Sequence, residues 1–254
     1  MAQQESMIKL KGRVGDVTFY QNERGYQARS SKGVDPKRVK QHPAFKRSRE
    51  NSREFGRAAI AAKCLRSALR PLLRHIPDGS MVNRLTSRMV RILKADDVHI
   101  RGERLVNPVN VGMLRFFDFN RSAPLHEMLL VRYDVNLDRS ENRVELRLPS
   151  FYPKQAVVFP KEATHFRLVA ATTAIDFSRA PSTSQRPPVA METTELLSVV
   201  GQVPALSFSL PIDESLAAGA VIVLVGISYF ESLQGEIYPI KDKESAPLGV
   251  VEVY

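Results

Sequence analysis

The sequence predicts an α+β protein: an N-terminal β-meander with a basic αα-hairpin, then an antiparallel β-sandwich-like domain. Three observations carry that expectation. Apolar residues alternate with polar ones near the start, recur every third or fourth position between Pro43 and Leu93, and alternate again beyond about residue 98. Lys and Arg crowd into the front of the chain, where residues 1–106 hold 24 against 10 Asp and Glu, a net of +14. Residues 107–254 hold 13 against 17, a net of −4, so the pattern change and the charge change both place a domain boundary near residue 106.

The meander comes first. Ile8 and Leu10 alternate with Lys9 and Lys11, and Val14 follows beyond Gly12. Gly15-Asp16 marks a turn, Val17-Thr18-Phe19-Tyr20 a β-branched and aromatic strand, Asn22 to Gly25 a second turn, and Tyr26 to Arg29 a third strand. Three strands this short bury too little surface to stand alone, so their apolar face must pack on the following helices or on another subunit.

From Ser30 to His42 the chain is polar and basic, with Gly33 and Pro36 as breakers. Pro43 suits a first helical turn. Beyond it Phe45, Phe55, Ala59, Ala62, Leu65, Leu69, Leu72, Leu73 and Ile76 form a stripe that Pro71 should kink or end near Leu69. Pro77 to Ser80 is a turn with Ser80 as the expected N-cap, and Val82, Leu85, Met89, Ile92 and Leu93 form a second stripe. Two amphipathic helices joined by a short turn make the hairpin.

In the rear half Val131, Tyr133, Val135 and Leu137 alternate, "DRSEN" turns the chain, and Val144, Leu146 and Leu148 alternate back. Further strands are expected at 166–172, 206–210, 221–230, 236–240 and 250–254, with the apolar run Ala220 to Gly226 as a central strand buried on both faces. The polar, Pro-rich stretch 179–195 reads as a long loop.

Composition narrows the function classes. With 254 residues and 43% hydrophobic content the chain can build a sizeable core, as one large domain or two modest ones. The sequence has no run of about 18 apolar residues, so no membrane span is expected. "MAQQESMIKLKGR" lacks an apolar targeting core, which implies cytoplasmic synthesis and no signal peptide; extracellular release would need lysis or a non-classical route. Cys64 is the sole cysteine, which excludes an internal disulfide.

Catalytic signatures are not found in the sequence. His42, His75, His99, His126 and His165 form no HExxH or other ligand spacing. "GRVG" at 12–15 lacks the third glycine of a dinucleotide loop and precedes a strand, and neither a P-loop nor a G-x-S-x-G elbow occurs. Cys64 sits mid-helix among apolar residues, where a buried inert thiol is expected. Asp96-Asp97 and Asp213-Glu214 read as solvated loop carboxylates. The expectation is a non-enzymatic protein with no cofactor and no metal.

The basic run stands above this background. Lys37, Arg38, Lys40, Lys46, Arg47, Arg49, Arg53 and Arg57 form the candidate contact for a polyanion or a second subunit, with Lys46, Arg49, Arg53 and Arg57 adding into one helical stripe. The bland alternative is a solvated face with local pairs, Glu50 to Arg53 or Arg47 and Glu54 to Arg57. Ile8, Leu10, Val17, Phe19, Tyr20 and Tyr26 are the candidate strand-edge residues for assembly. The charge split favours a structural subunit that self-assembles into a multi-copy particle, tube or filament, basic half against acidic half. The alternative is nucleic-acid or other polyanion binding, with Tyr20 and Tyr26 stacking on bases, although Trp is lacking and other aromatics are sparse.

The chain also resembles a family of uncharacterised proteins from Bacteroidota. The likeness rests on "GRVGDVTFY" at 12–20, "GYQAR" at 25–29, "GVD" at 33–35, "PAFKRSREN" at 43–51 and "EFG" at 54–56. It continues more loosely through "LRSALRPLL", "NRLTSRMV" and "GVVEVY", and so covers most of the chain. It implies one recurrent architecture in proteins without signal peptides, and brings no activity and no ligand positions.

Overall fold

The computed structural model describes residues 2–4, 9–30, 35–177, 187–214 and 219–254. All strand pairing in it is antiparallel, and helices and sheets are both prominent, which makes the fold α+β. The chain divides into two compact units, Met1–Arg49 and Glu50–Tyr254. The expected boundary at residue 106 is therefore corrected. The helical stripes find their partner in the large β-sheet of the rear half, and one core spans the point where the charge changes sign.

The first unit carries four strands where three were expected: β1 (Ala2–Gln3), β2 (Gly12–Val14), β3 (Val17–Asn22) and β4 (Gly25–Ser30), in the order β1-β4-β3-β2. β1 is too short and too polar to show as a pattern. It is held by register with Gln27 and Ala28, and by Gln4, whose amide and side chain bond Tyr26, Gln27 and Leu10. After the sheet come α1 (Pro36–Gln41), capped by the Asp35 side chain on the Lys37 amide, and a 3₁₀ turn, Pro43–Phe45. None of the described residues of this unit is buried.

The second unit takes up α2 (Lys46–Ala68) from Glu50 onward, followed by α3 (Arg70–Leu73) and α4 (Met81–Lys94). As Pro71 dictates, the long helix stops at Ala68 and resumes as a single turn beyond Leu69. Ser80 stands at the N-cap position of α4, but its hydroxyl caps nothing there and instead donates to Asp78 at 2.7 Å. Asp78 takes the polar duty, accepting the Ser80 amide at 2.7 Å and the Arg84 guanidinium at 2.6 Å.

Short helices α5 (Pro108–Val111), α6 (Leu125–Met128) and α7 (Pro153–Ala156) punctuate the rear half. Its strands are β5 (Asp134–Asp138), β6 (Arg143–Leu148), β7 (His165–Ile175), β8 (Ala190–Thr193), β9 (Leu197–Ser198), β10 (Leu206–Pro211), β11 (Ala220–Leu233), β12 (Glu236–Pro239) and β13 (Leu248–Val253). A three-stranded sheet, β10-β6-β5, faces a six-stranded one built on β7 and β11, with β12 and β13 against β11 and with β8 and β9 against β7. The stretch expected as a loop at 179–195 ends in β8, paired with Val169 to Thr172; residues 178–186 lie outside the described residues.

Alternation along β11 builds two cores. Ala220, Ile222 and Leu224 point to one face and pack with Leu65, Leu69, Leu85, Met89 and Ile92 of the helices. Val221, Val223, Val225, Ile227 and Tyr229 point to the other and pack with Val144, Leu146, Phe208 and Leu210 of the small sheet. The result is three layers, helices on a sheet on a sheet, with the run Ala220 to Gly226 buried on both faces as expected. Each buried Val, Leu, Ile, Phe or Met among these contributes about 1.5–3 kcal/mol. Among the described residues no helix is long and apolar enough to cross a membrane.

Candidate functional site

The basic run meets its surroundings in two ways. In the first unit Lys37, Arg38 and Lys40 of α1 and Lys46 and Arg47 at the start of α2 are exposed. Among the described residues Lys37, Arg38, Lys40 and Arg47 have no carboxylate within salt-bridge distance. Arg49 is different. Its guanidinium donates to the carbonyls of Val39 and His42, both at 2.9 Å, and so ties α1 to the first turn of α2. It is a fastener whose charge is turned to backbone.

In the second unit Arg53 is exposed, whereas Arg57, one turn on, is half-buried and donates to the carbonyls of Gly102 and Arg104 at 3.2 and 3.0 Å. The continuous stripe expected from sequence is thus broken at both Arg49 and Arg57. The local pair expected between Glu54 and Arg57 is corrected too. Glu54 is buried, accepts the Gly102 amide at 2.8 Å and lies 3.9 Å from Arg104, while Glu50 reaches Arg101 at 3.6 Å.

The loop receiving these contacts has its own anchor. Asp96 was expected in solvent; it is buried, with Oδ2 accepting from the Leu105 amide at 2.8 Å and facing His99 Nδ1 at 2.7 Å, and Oδ1 accepting from the Val98 amide at 3.1 Å. Burial alone would raise its pKa, but these bonds outweigh it and hold the group down at about 2. The arrangement braces the chain and offers no raised carboxylate for proton transfer. Cys64 is buried in the helical core, and burial pushes its thiol pKa up. Among the described residues no three His, Cys, Asp or Glu side chains come together around a metal-sized space.

The strand residues are also relocated. Val17, Phe19 and Tyr20 lie on β3 and Tyr26 on β4, the two inner strands of the sheet, so they are not edge residues. The outer strands of the meander are β1 and β2, with Leu10 exposed just before β2; Ile8 lies outside the described residues. The register Phe19↔Ala28 and Gln21↔Tyr26 puts Phe19 and Tyr26 on one face, with Tyr20 on the other. Two tyrosines on opposite faces cannot form one stacking platform. Each has a cation over its ring, Arg29 at 5.6 Å from the Tyr20 centroid and Lys9 at 5.9 Å from that of Tyr26.

The strands expected at 221–230 and 236–240 join in a second exposed β feature. The end of β11 and all of β12 form a hairpin arm through Gln234 and Gly235, both at positive φ, with Leu233, Ile237 and Tyr238 exposed along it. By contrast β13 has its outer edge closed by residues 116–119, through bonds between Phe116 and Val250, Phe119 and Leu248, and Val250 and Phe117. No family model, no curated protein and no solved structure matches the chain.

Proposed function

We propose that this protein is a non-enzymatic structural subunit that assembles with further copies of itself through its N-terminal unit. The observation that carries this reading is a four-stranded sheet in which none of the described residues is buried. Val17, Phe19, Tyr20, Tyr26 and Ala28 are all half-exposed, and a small sheet gains its stability from an apolar face covered by something else. A second copy supplies such a cover. The cations Lys37, Arg38, Lys40 and Arg47, with no carboxylate partner among the described residues, supply orientation, and the outer strands β1 and β2 supply edges for strand pairing.

The acidic counterpart is weaker than the charge split suggests, since Glu145 pairs with Arg147 and Glu252 with Arg115 within the chain. Apolar burial is accordingly the larger contribution, and charge sets register. Sedimentation velocity and electron microscopy test the reading. Wild-type protein should form oligomers at low salt, and Lys37→Glu/Lys40→Glu/Arg47→Glu should weaken them. A strict monomer at high protein concentration and low salt would overturn it.

Polyanion binding is the second reading, favoured by those same exposed cations. A gel-shift titration of single- and double-stranded DNA against salt decides it: a steep fall in affinity with ionic strength supports it, and no shift at low salt eliminates it.

A further inference from the structure

A groove of about 470 Å³ in the second unit lies between one face of α4 and the segment 116–126. Asn83, Ser87, Arg88 and Arg91 line one wall, at positions that fall on a single helical face, and Phe116 and Arg121 line the other. Its volume lies within the range of small-molecule sites. Arg84, also on that face, is already committed to Asp78 at 2.6 Å, to the carbonyl of Asp118 at 2.8 Å and to the ring of Phe117. The Asp118 carboxylate, in the lining of the groove, is likewise engaged, accepting the Leu125 amide at 2.8 Å with His126 at 3.7 Å. Arg88 uses one nitrogen on the Met113 carbonyl at 3.0 Å and keeps its others. Arg91 and Arg121 are exposed, and among the described residues neither has a side-chain partner.

Phe116 is the second observation, and it is independent of the charges. Its φ of 62° puts a bulky aromatic residue in the left-handed region, where such residues rarely sit. The surroundings hold it there: its amide donates to the Val250 carbonyl at 2.8 Å, closing the edge of β13. The Arg115 guanidinium lies 5.0 Å from the ring centroid and is itself clamped to Glu252 at 2.9 Å. Despite this scaffolding the residue is 64% exposed. A strained, braced and solvent-facing ring gains nothing for the folded chain by itself, but it offers a stacking face beside three arginines.

We propose that this groove binds a nucleoside monophosphate, with the phosphate taken by the guanidinium groups of Arg91 and Arg121, assisted by Arg88, and the base laid against Phe116. Arginine forks match phosphate oxygens in pairs, and stacking on an aromatic face tolerates any base. The inference stands on the second unit and does not rest on the assembly reading, since a monomer could bind the ligand equally well.

Calorimetric titration of the full chain with AMP, adenosine and inorganic phosphate tests it. AMP should bind at least tenfold tighter than either fragment. Arg91→Ala/Arg121→Ala should cost at least tenfold in AMP affinity. Phe116→Gly relieves the backbone strain, so it should leave the melting temperature unchanged or raised while lowering AMP affinity and sparing phosphate. No AMP binding at millimolar concentration, or AMP affinity unmoved by these variants, would overturn the proposal. Equal affinity for AMP and phosphate would overturn the role of the ring and with it the nucleotide assignment.

Discussion

The Glu54 carboxylate accepts the Gly102 amide at 2.8 Å, joining the middle of the basic run to a loop 48 residues further on. Gly102 has a φ of +89°, and a Cβ there would stand 2.7 Å from Glu50 Cγ, so the position requires glycine. Two acidic residues that local spacing assigns to neighbouring arginines are thus turned to this loop, which leaves Arg53 exposed.

Removing either partner should show in equilibrium unfolding. Glu54→Ala strands a buried amide and should cost about 1–3 kcal/mol. Gly102→Ala should cost a similar amount, about 1–3 kcal/mol, through the strained φ. The double variant should lose less than the sum, because the backbone shift that Gly102→Ala forces also displaces the amide that Glu54 holds. Urea titration measures all three, and full additivity would show that the two residues act separately.

Deleting residues 1–49 should leave a folded protein. Every residue of both cores lies at or beyond Ala58, so the shortened chain keeps them whole. Circular dichroism should show a cooperative melt close to that of the full chain, while sedimentation should show that self-association is gone. A shortened chain that fails to fold would mean the first unit contributes to the cores.

Asp96 gives the stability a defined acid dependence. Its folded-state pKa of about 2 lies below the usual 3.8, so its contribution is fully present above the unfolded value. That contribution should fade as pH falls from about 4 towards 2, and Asp96→Asn should flatten this part of the profile. Urea midpoints taken across that window make the comparison, and an unchanged slope in the variant would remove Asp96 from the account.

The hairpin arm offers a test of where copies touch. Leu233→Lys/Ile237→Lys alters exposed positions, so the stability change should stay within about 0.5 kcal/mol. If the arm takes part in assembly, the sedimentation coefficient at low salt should drop towards that of a monomer. Unaltered oligomers would confine the contact to the N-terminal unit.

Much of this architecture was legible in the sequence, because pattern and burial coincide along strongly periodic elements. The run from Ala220 reads as a strand walled on both sides, alternation marks the 134–148 hairpin, and Pro71 marks the break near Leu69. What the sequence does not display depends on residues far apart in the chain. β1 and β9 have two residues each and exist by pairing. The boundary at 106 followed composition, whereas the helices pack on strands more than a hundred residues away. Asp96 looks solvated until the amides of Val98 and Leu105 close around it. Tyr26 lies on an inner strand because the fourth strand, β1, covers β4, whereas Tyr20 is on β3, the middle strand even of a three-strand meander; the groove beside α4 needs the strained Phe116, which no residue type announces.

β7 and β11 are the shared wall of two separate apolar interiors, one beneath the helices and one beneath the small sheet. Neither interior can be flooded while the other stays dry, because loosening either strand opens both. Scanning calorimetry of the 50–254 unit should therefore record one endotherm whose van't Hoff and measured enthalpies agree. A destabilising change placed in the helical layer should lower the melting point of the small sheet by the same number of degrees.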